Sequence, residues 1–411
     1  MKFKTILLVT SLITSSVVQA QEQSVEDKNP DRPSRLAEGY GSDELLSGNL
    51  PYMPDISLEE RIKFMGDIRL RSQTIIKEGG GNDDTEHKFR YRVRVGFEAA
   101  VNEQVKLEFM LATGEGDPVS TNQDFGEGFS GKNVVIDIAD IFYEFGYHNF
   151  VRAGKMKLPF YRTHKNQMIW DNDLRPEGAF VKYKLFKDTD VTAGAFIVRN
   201  SGSQDVRHDL DPSAPAQEGS TVALYTMQAI EHFDKFRVGI SANIYDSLKG
   251  QSPYVKYNSG QYSEGDGKDL SKGNTLDANG NYANDYHLVE IFGEYKVTDK
   301  FALGADFVYN TAASDDNFAY NFSAMYGKLK HNGDYKLGYY YRDTQKDAVL
   351  AAFSDSDFAG GYSGSKGHQL MAGYQLMKNT QLAVTYINAR VDKGSYTQAY
   401  QRLHLDIKFK F

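Results

Sequence analysis

The amino-acid sequence predicts an all-β fold, a transmembrane antiparallel β-barrel of about sixteen strands with short periplasmic turns and long extracellular loops. Three observations lead to this fold class. Segments of strand length alternate between apolar and polar residues. The connections between these segments alternate between short and long, and the first residues have the pattern of an export signal.

The last eleven residues, 401–411, show the alternation most plainly. Side chains of a strand point alternately to its two faces, so one face of this segment is apolar and the other is charged or ionisable. Such a strand separates an apolar medium from water. The apolar face carries Leu403, Leu405, Ile407, Phe409 and Phe411, and the other face carries Arg402, His404, Asp406, Lys408 and Lys410.

The same alternation recurs from near Arg61 onward, in segments of the roughly 9–11 residues that a tilted spanning strand needs. Outer-membrane barrels have short turns at one rim and long loops at the other, whereas a soluble β-sandwich has no reason to sort its connections in this way. One outer connection, near 315–317, is also short. The short turns are at 102, 146–148, 187–188, 232, 298–300, 332–333 and 378–379, and the long loops are 77–86, 113–132, 157–177, 199–220, 247–284, 345–365 and 394–400.

Three regions follow from this pattern. Residues 1–20 form a predicted signal peptide, with Lys2 and Lys4 before an apolar run and small residues at a cleavage site. Residues 21–60 are rich in proline, glycine and charge and are interpreted as a periplasmic extension. Residues 61–411 form the barrel, whose two ends are then both expected on the periplasmic side.

Composition excludes several classes of function. Removal of the predicted signal peptide leaves 45 basic and 55 acidic residues, a net charge of −10 that disfavours nucleic-acid binding. The chain has no cysteine, so it offers no disulfide, thiolate nucleophile or zinc–thiolate site. No cofactor is expected. The 27 tyrosines and 25 phenylalanines suit the aromatic girdles of a membrane barrel.

A basic ladder is predicted on the inner face of the first two strands. An interior of about sixteen strands is too wide for side chains to fill, so charged inward residues face water. Acidic groups opposite such a ladder would set a transverse field that biases which solutes enter. These arginines could instead serve only to solvate the lumen or to pair with neighbouring carboxylates. The ladder comprises Arg69, Arg71, Arg90, Arg92 and Arg94, and Lys63 and Lys88 would extend it.

The third long loop is predicted to narrow the lumen. It contains the only tryptophan of the chain, Trp170, beside Met168 and Ile169, and a fully solvated loop would not need this apolar group. Its charged residues are expected to line the constriction opposite the ladder. They are Arg162, Asp171, Asp173, Arg175 and Glu177.

Four segments resemble the "putative porin" family of Gram-negative outer membranes: residues 90–99 (RYRVRVGFEA), 111–117 (LATGEGD), 151–160 (VRAGKMKLPF) and 170–178 (WDNDLRPEG). The resemblance covers roughly residues 61–200. It implies an outer-membrane diffusion channel and, by analogy with other sixteen-stranded porins, a homotrimer in which the third loop constricts each pore.

Two other patterns point weakly to ligands. Residues 126–133 differ at one position from the phosphate-binding loop motif, because Asn133 occupies the position where serine or threonine would bind magnesium. Residues 277–288 begin like a calcium loop, but Tyr282 and Leu288 occupy two required positions. No metal site and no catalytic site is therefore predicted.

The functional hypothesis is a passive, water-filled channel for small hydrophilic solutes and ions, without enzyme activity. Its expected partners are outer-membrane lipid, further copies of the same chain and the permeating solutes, but not nucleic acid. One alternative is a substrate-specific channel for a sugar or a small acid, which saturable flux would favour. A second is a non-conducting barrel whose outer loops bind partners, which the absence of any current would favour.

Overall fold

The computed structural model describes residues 61–81, 83–126, 128–146, 148–200, 221–251, 253 and 271–411. The predicted signal peptide and the extension over 21–60 lie outside the described residues. Within the described ranges, no helix is both long enough and apolar enough to cross a membrane.

Sixteen antiparallel strands close into one barrel, which confirms the predicted fold class. Each spanning strand pairs with its neighbours along the chain. One further strand of two residues, β4 (Gln123–Asp124), lies within the long loop 113–132 and pairs with Arg90 and Tyr91. The spanning strands are β1 (Ile62–Glu78), β2 (Asp84–Ala100), β3 (Val105–Thr113), β5 (Val134–Phe145), β6 (Asn149–Lys155), β7 (Glu177–Phe186), β8 (Thr189–Arg199), β9 (Val222–His232), β10 (Phe236–Asp246), β11 (Tyr286–Lys296), β12 (Phe301–Asn310), β13 (Phe318–Gly327), β14 (Tyr335–Thr344), β15 (Ser365–Met377), β16 (Thr380–Asp392) and β17 (Thr397–Lys410).

The last strand closes the barrel on the first. β17 pairs with β1 from Asp67 opposite Lys410 to Glu78 opposite Ala399. The backbones of Gly66 and Phe411 then exchange two hydrogen bonds of 3.0 and 3.1 Å. A Cβ on Gly66 would lie 2.4 Å from the ring of Phe411, so only glycine fits this close approach. Closure leaves no unpaired sheet edge in hydrocarbon, which membrane insertion requires.

The two faces of the strands divide as the alternation predicts. On β17 the apolar Leu405 and Phe409 are 49% and 38% exposed on the outer surface. The intervening Arg402 and Asp406 are each 6% exposed and point into the barrel. The large apolar side chains exposed along the strands form an apolar outer belt, and on β17 the charged residues between them face inward.

One turn differs from its prediction. Asn332-Gly333 was expected to form a two-residue hairpin turn, but β13 ends at Gly327 and β14 begins at Tyr335, so the connection is seven residues long. Gly327 leaves the ladder with φ of +78°, in the left-handed region. The carboxylate of Asp334 then accepts hydrogen bonds from the backbone N–H groups of residues 330 and 331, which builds a wider turn.

Two neighbouring residues of β16 test the assignment of faces. Val384 is 42% exposed on the outer surface, whereas Thr385 lines an inner cavity. We expect Val384→Arg to lower the free energy of unfolding in lipid vesicles by about 2–4 kcal/mol, because it places a charge in hydrocarbon. Thr385→Arg, at the same depth, should change it by less than about 1 kcal/mol. Urea titration followed by Trp170 fluorescence measures both, and equal losses would contradict the assignment.

Candidate functional site

Residues 156–176, which connect β6 to β7, fold into the barrel and are called here the lumenal loop. The backbone N–H of Tyr161 donates to Oε1 of Gln228 on β9 at 2.9 Å. Further along, the hydroxyl of Tyr340 on β14 donates to the carbonyl of His164 at 2.7 Å. β14 stands eight strands from β6 around the barrel, so the loop crosses the lumen from one wall to the other.

An apolar cluster holds the lumenal loop in place. Trp170 is 3% exposed and stacks on Phe160 with a centroid distance of 6.0 Å. Burial of each such side chain contributes about 1.5–3 kcal/mol, which is lost if the loop swings into water. The cluster therefore closes one side of the lumen. Its loop members are Met156, Phe160, Met168, Ile169, Trp170 and Leu174, and its wall members include Phe196, Leu224, Tyr245, Tyr286, Leu288 and Val308.

A second loop, residues 345–364 between β14 and β15, packs on the lumenal loop and is called here the second lumenal loop. The backbone N–H of Asp171 donates to the carbonyl of Phe353 at 2.8 Å, and that of Asp355 donates to the carbonyl of Gln167 at 3.0 Å. Phe353 joins the apolar cluster. The two loops thus form one plug that is anchored on both sides of the barrel.

Asn274 fastens the second lumenal loop to the segment that precedes β11. Its side-chain amide donates to the carbonyls of Lys346 and Val349 at 2.6 and 2.9 Å. Its carbonyl oxygen accepts a hydrogen bond of 2.9 Å from the backbone N–H of Ala351. Asn274 is 3% exposed, so these backbone groups have no ready access to water as a substitute.

The two loops leave an open cavity of about 460 Å³ beside the opposite wall. Strands β15, β16, β17, β1, β2 and β3 contribute that wall. The cavity lining is strongly polar and holds eleven lysines and arginines against seven aspartates and glutamates. The cavity is therefore charged and basic, whereas the other side of the lumen is packed by the apolar cluster and by buried polar residues such as Glu290 and Asp306.

The predicted basic ladder lies on this wall. The strand register sets Arg69 opposite Arg92 and Arg71 opposite Arg90. Four of the five arginines line the cavity. Arg90 does not: its Nε lies 2.5 Å from a carboxylate oxygen of Asp124 on β4, at the rim with the long loops.

Asp173 of the lumenal loop touches the ladder directly. One carboxylate oxygen lies 2.5 Å from Nη2 of Arg94 and 3.5 Å from Nη1 of Arg92. Burial alone would raise the pKa of Asp173, but Arg94 and Arg92 outweigh burial and hold the pKa below its ordinary value. Asp173 is therefore a charged ion-pair partner of the ladder rather than a group facing it across an opening.

Asp357 of the second lumenal loop also forms ion pairs with arginines of the basic wall, on β17 and β1. Its carboxylate lies 2.7 Å from Nη2 of Arg402 and 3.2 Å from Nη1 of Arg71. Burial would raise the pKa of Asp357, but Arg402 and Arg71 outweigh it and lower the pKa. Each loop thus sends one carboxylate to the basic wall.

Two other predicted acidic residues take different places. Asp171 is 4% exposed and accepts a hydrogen bond of 2.9 Å from the backbone N–H of Ser356. Burial, with the nearby carboxyls of Asp173 and Asp355, raises the pKa of Asp171 well above its ordinary value. Glu177 begins β7 and pairs with Lys155 at 2.7 Å, outside the cavity lining.

The two predicted arginines of the loop line the cavity and also fasten the loop. Arg162 donates to the carbonyl of Trp170 at 2.8 Å, and burial lowers its pKa to about 10. Nε of Arg175 lies 3.1 Å from a carboxylate oxygen of Asp137 on β5. Both therefore shape the plug as well as charging its surface.

Some members of the site were not among the predicted site residues. Asp406 binds Arg71 through two contacts, of 2.7 and 3.0 Å, and His404 lies beside them. Their inward parity on the last strand, combined with closure of that strand on β1, could have revealed them. Asp357 had no such signal, because it lies in a loop with no repeating pattern.

Removing the Asn274 side chain tests how firmly the plug is held. We expect Asn274→Ala to raise the rate of trypsin cleavage after Lys346 in the folded protein by about 5- to 150-fold, since losing buried hydrogen bonds costs about 1–3 kcal/mol of local stability. Asn279→Ala, an exposed asparagine of the same segment, should leave the rate unchanged. Equal cleavage rates in the two variants would contradict the role of Asn274 in fastening the second lumenal loop.

Comparisons with known proteins give one family match and a set of distant structural matches. The profile of the "Putative porin" family matches residues 80–307 and 274–411. A search of curated proteins gives no match. Among solved structures, a double mutant of Rh. blastica porin is 12% identical with a TM-score of 0.48, and a triple mutant of Rhodopseudomonas blastica porin is 12% identical with a TM-score of 0.46. Each alignment covers 85% of this chain and 100% of the solved chain. The family match spans most of the sequence, and the chain belongs to the "putative porin" family.

Proposed function

We propose that this protein is an outer-membrane channel through which small hydrophilic solutes and ions diffuse passively. The observation that carries the proposal is the charged cavity of about 460 Å³ between the two lumenal loops and the basic wall. Water and polar solutes are stable there because the lining offers charged groups and hydrogen-bonding atoms. The apolar cluster closes the remainder of the cross-section, so flux follows the basic wall.

The proposed selectivity is a modest preference for anions. Lysines and arginines outnumber carboxylates in the cavity lining, eleven to seven. Many of these arginines are already paired, as Arg71 is with Asp406 and Asp357, so the excess positive field is smaller than the ladder alone would create. A weak field sorts ions by sign without trapping them.

The proposal includes export by the signal peptide over residues 1–20, insertion from the periplasm and assembly as a homotrimer. Family membership supports the outer membrane and the trimer, and the apolar outer belt supports contact with lipid. The residues proposed to line or shape the constriction are those of the ladder and the lumenal loop.

Liposome swelling tests the channel itself. Vesicles containing the refolded protein should swell in isotonic solutions of small sugars, at rates that fall with solute size, because the cavity limits the cross-section. Protein-free vesicles and vesicles with heat-denatured protein are the controls. No swelling with any solute would exclude the channel and favour a closed barrel that acts through its outer loops.

Asp173 tests the proposed selectivity. Asp173→Asn removes the carboxylate that neutralises Arg92 and Arg94, so we expect the anion-to-cation permeability ratio to rise roughly two- to fivefold. The measurement is the reversal potential across a planar bilayer in a potassium chloride gradient.

Glu177→Gln is the matched control, because Glu177 also carries one negative charge but lies outside the cavity lining. Its permeability ratio should equal that of the unmodified protein. A shift as large as that of Asp173→Asn, or no shift in either variant, would contradict the placement of the ion path.

A further inference from the structure

Three cationic side chains stand side by side on one level of the basic wall. The register places Arg69 of β1 between Arg92 of β2 and Lys408 of β17. Residues opposite one another on adjacent strands have Cβ atoms about 4.5–5.5 Å apart, a distance at which like charges destabilise a sheet. All three line the cavity. Such a row is stable only if anionic groups compensate it.

Two of the three have compensating carboxylates. Nη2 of Arg92 lies 2.6 Å from Asp67, and its Nη1 lies 3.5 Å from Asp173. Nζ of Lys408 lies 3.5 Å from Asp406, although Asp406 is also held by Arg71 through contacts of 2.7 and 3.0 Å.

Arg69 has none. Among the described residues, no carboxylate lies within 4.0 Å of its guanidinium, which donates to the neutral side chain of Asn122. Its Nε is buried without a hydrogen-bond partner, and the residue is 8% exposed. Leaving a buried charged donor without an acceptor costs free energy, so buried guanidinium groups usually have an anionic partner. Arg69 has no such partner within 4.0 Å among the described residues.

A further positive charge lies diagonally across the β1–β17 pair from Arg69. Lys410 follows two residues after Lys408 on the same face, lines the cavity, and has no carboxylate within 4.0 Å among residues that the structure describes. Its register partner, Asp67, is engaged by Arg92 at 2.6 Å. Among the described residues, the wall therefore presents a guanidinium without a carboxylate within 4.0 Å, opposite Lys408 and diagonal to Lys410, and all three side chains line the same cavity.

We propose that Arg69, Lys408 and Lys410 form a binding subsite for small oxyanions, whose carboxylate or phosphate groups bind where these three cations line the cavity. A guanidinium binds the oxygen pair of such groups in a planar, two-bond arrangement, and lysines add charge without a fixed geometry. The inference rests on the proposed channel, because the anion reaches Arg69 through its cavity. It makes the channel saturable for small acids while neutral solutes still diffuse freely.

Isothermal titration calorimetry on the detergent-solubilised protein tests the subsite without requiring flux. Succinate and inorganic phosphate are the probes, with glucose as the neutral control. We expect saturable binding of at least one anion and at least a tenfold weaker affinity in Arg69→Gln. The comparison of the two probes shows whether carboxylate or phosphate is preferred.

Lys296→Gln is the matched control, because Lys296 is an exposed residue of β11 outside the cavity lining, and the affinity of this variant should be unchanged. Heat-modifiable mobility on gels shows whether Arg69→Gln folds. If it does not fold, Lys408→Gln serves as an independent second variant, and it should also weaken anion binding. No saturable binding of either anion, or equal affinity in every variant, overturns the subsite.

Channel measurements separate this inference from the proposed function. Arg69→Gln should still support sugar-driven swelling, while block of the potassium chloride current by succinate or phosphate should be lost in the variant. Swelling without anion binding rejects the subsite and leaves the channel intact. Anion binding without swelling rejects the channel and leaves the subsite.

Discussion

The structure depends on where the apolar residues of the lumenal loop can be buried. Trp170, Met168 and Phe160 cannot remain in water at the mouth of the barrel without losing several kilocalories per mole of burial. The strands from β8 to β12 present inward apolar residues, such as Tyr245 and Leu288, that accept them. The loop therefore crosses the lumen, and the open passage lies beside the only wall that it does not cover.

The positions of the two lumenal loops also organise the charged wall. Each lumenal loop ends its path by directing one carboxylate, Asp173 or Asp357, at the arginines of β1, β2 and β17. Ion pairs in such a setting fix the position of a loop as much as they add stability, because breaking one leaves a buried charge uncompensated. The same contacts lower the net field of the wall. The position of the two loops and the proposed selectivity thus have a common origin.

Much of the barrel could be predicted from the sequence, since strict alternation and the parity of loop lengths are local properties that a membrane strand must satisfy. The basic ladder followed from the same parity. The prediction of a two-residue turn at Asn332-Gly333 was wrong, because the positive φ of Gly327 and the carboxylate of Asp334 create a wider turn. The roles of Asp357 and Asn274 could not be predicted, because they depend on contacts between loops that are distant in sequence.

The central claim is that water follows the basic wall and is excluded from the opposite one. The absence of native cysteine allows a direct measurement with single-cysteine variants and a charged thiol reagent during current recording. Thr385→Cys lies on the cavity and Thr226→Cys on the covered wall of β9, and both are inward threonines. The account predicts rapid modification and a stepwise change of current for Thr385→Cys and none for Thr226→Cys. Equal modification of the two, or modification of Thr226→Cys alone, would contradict it.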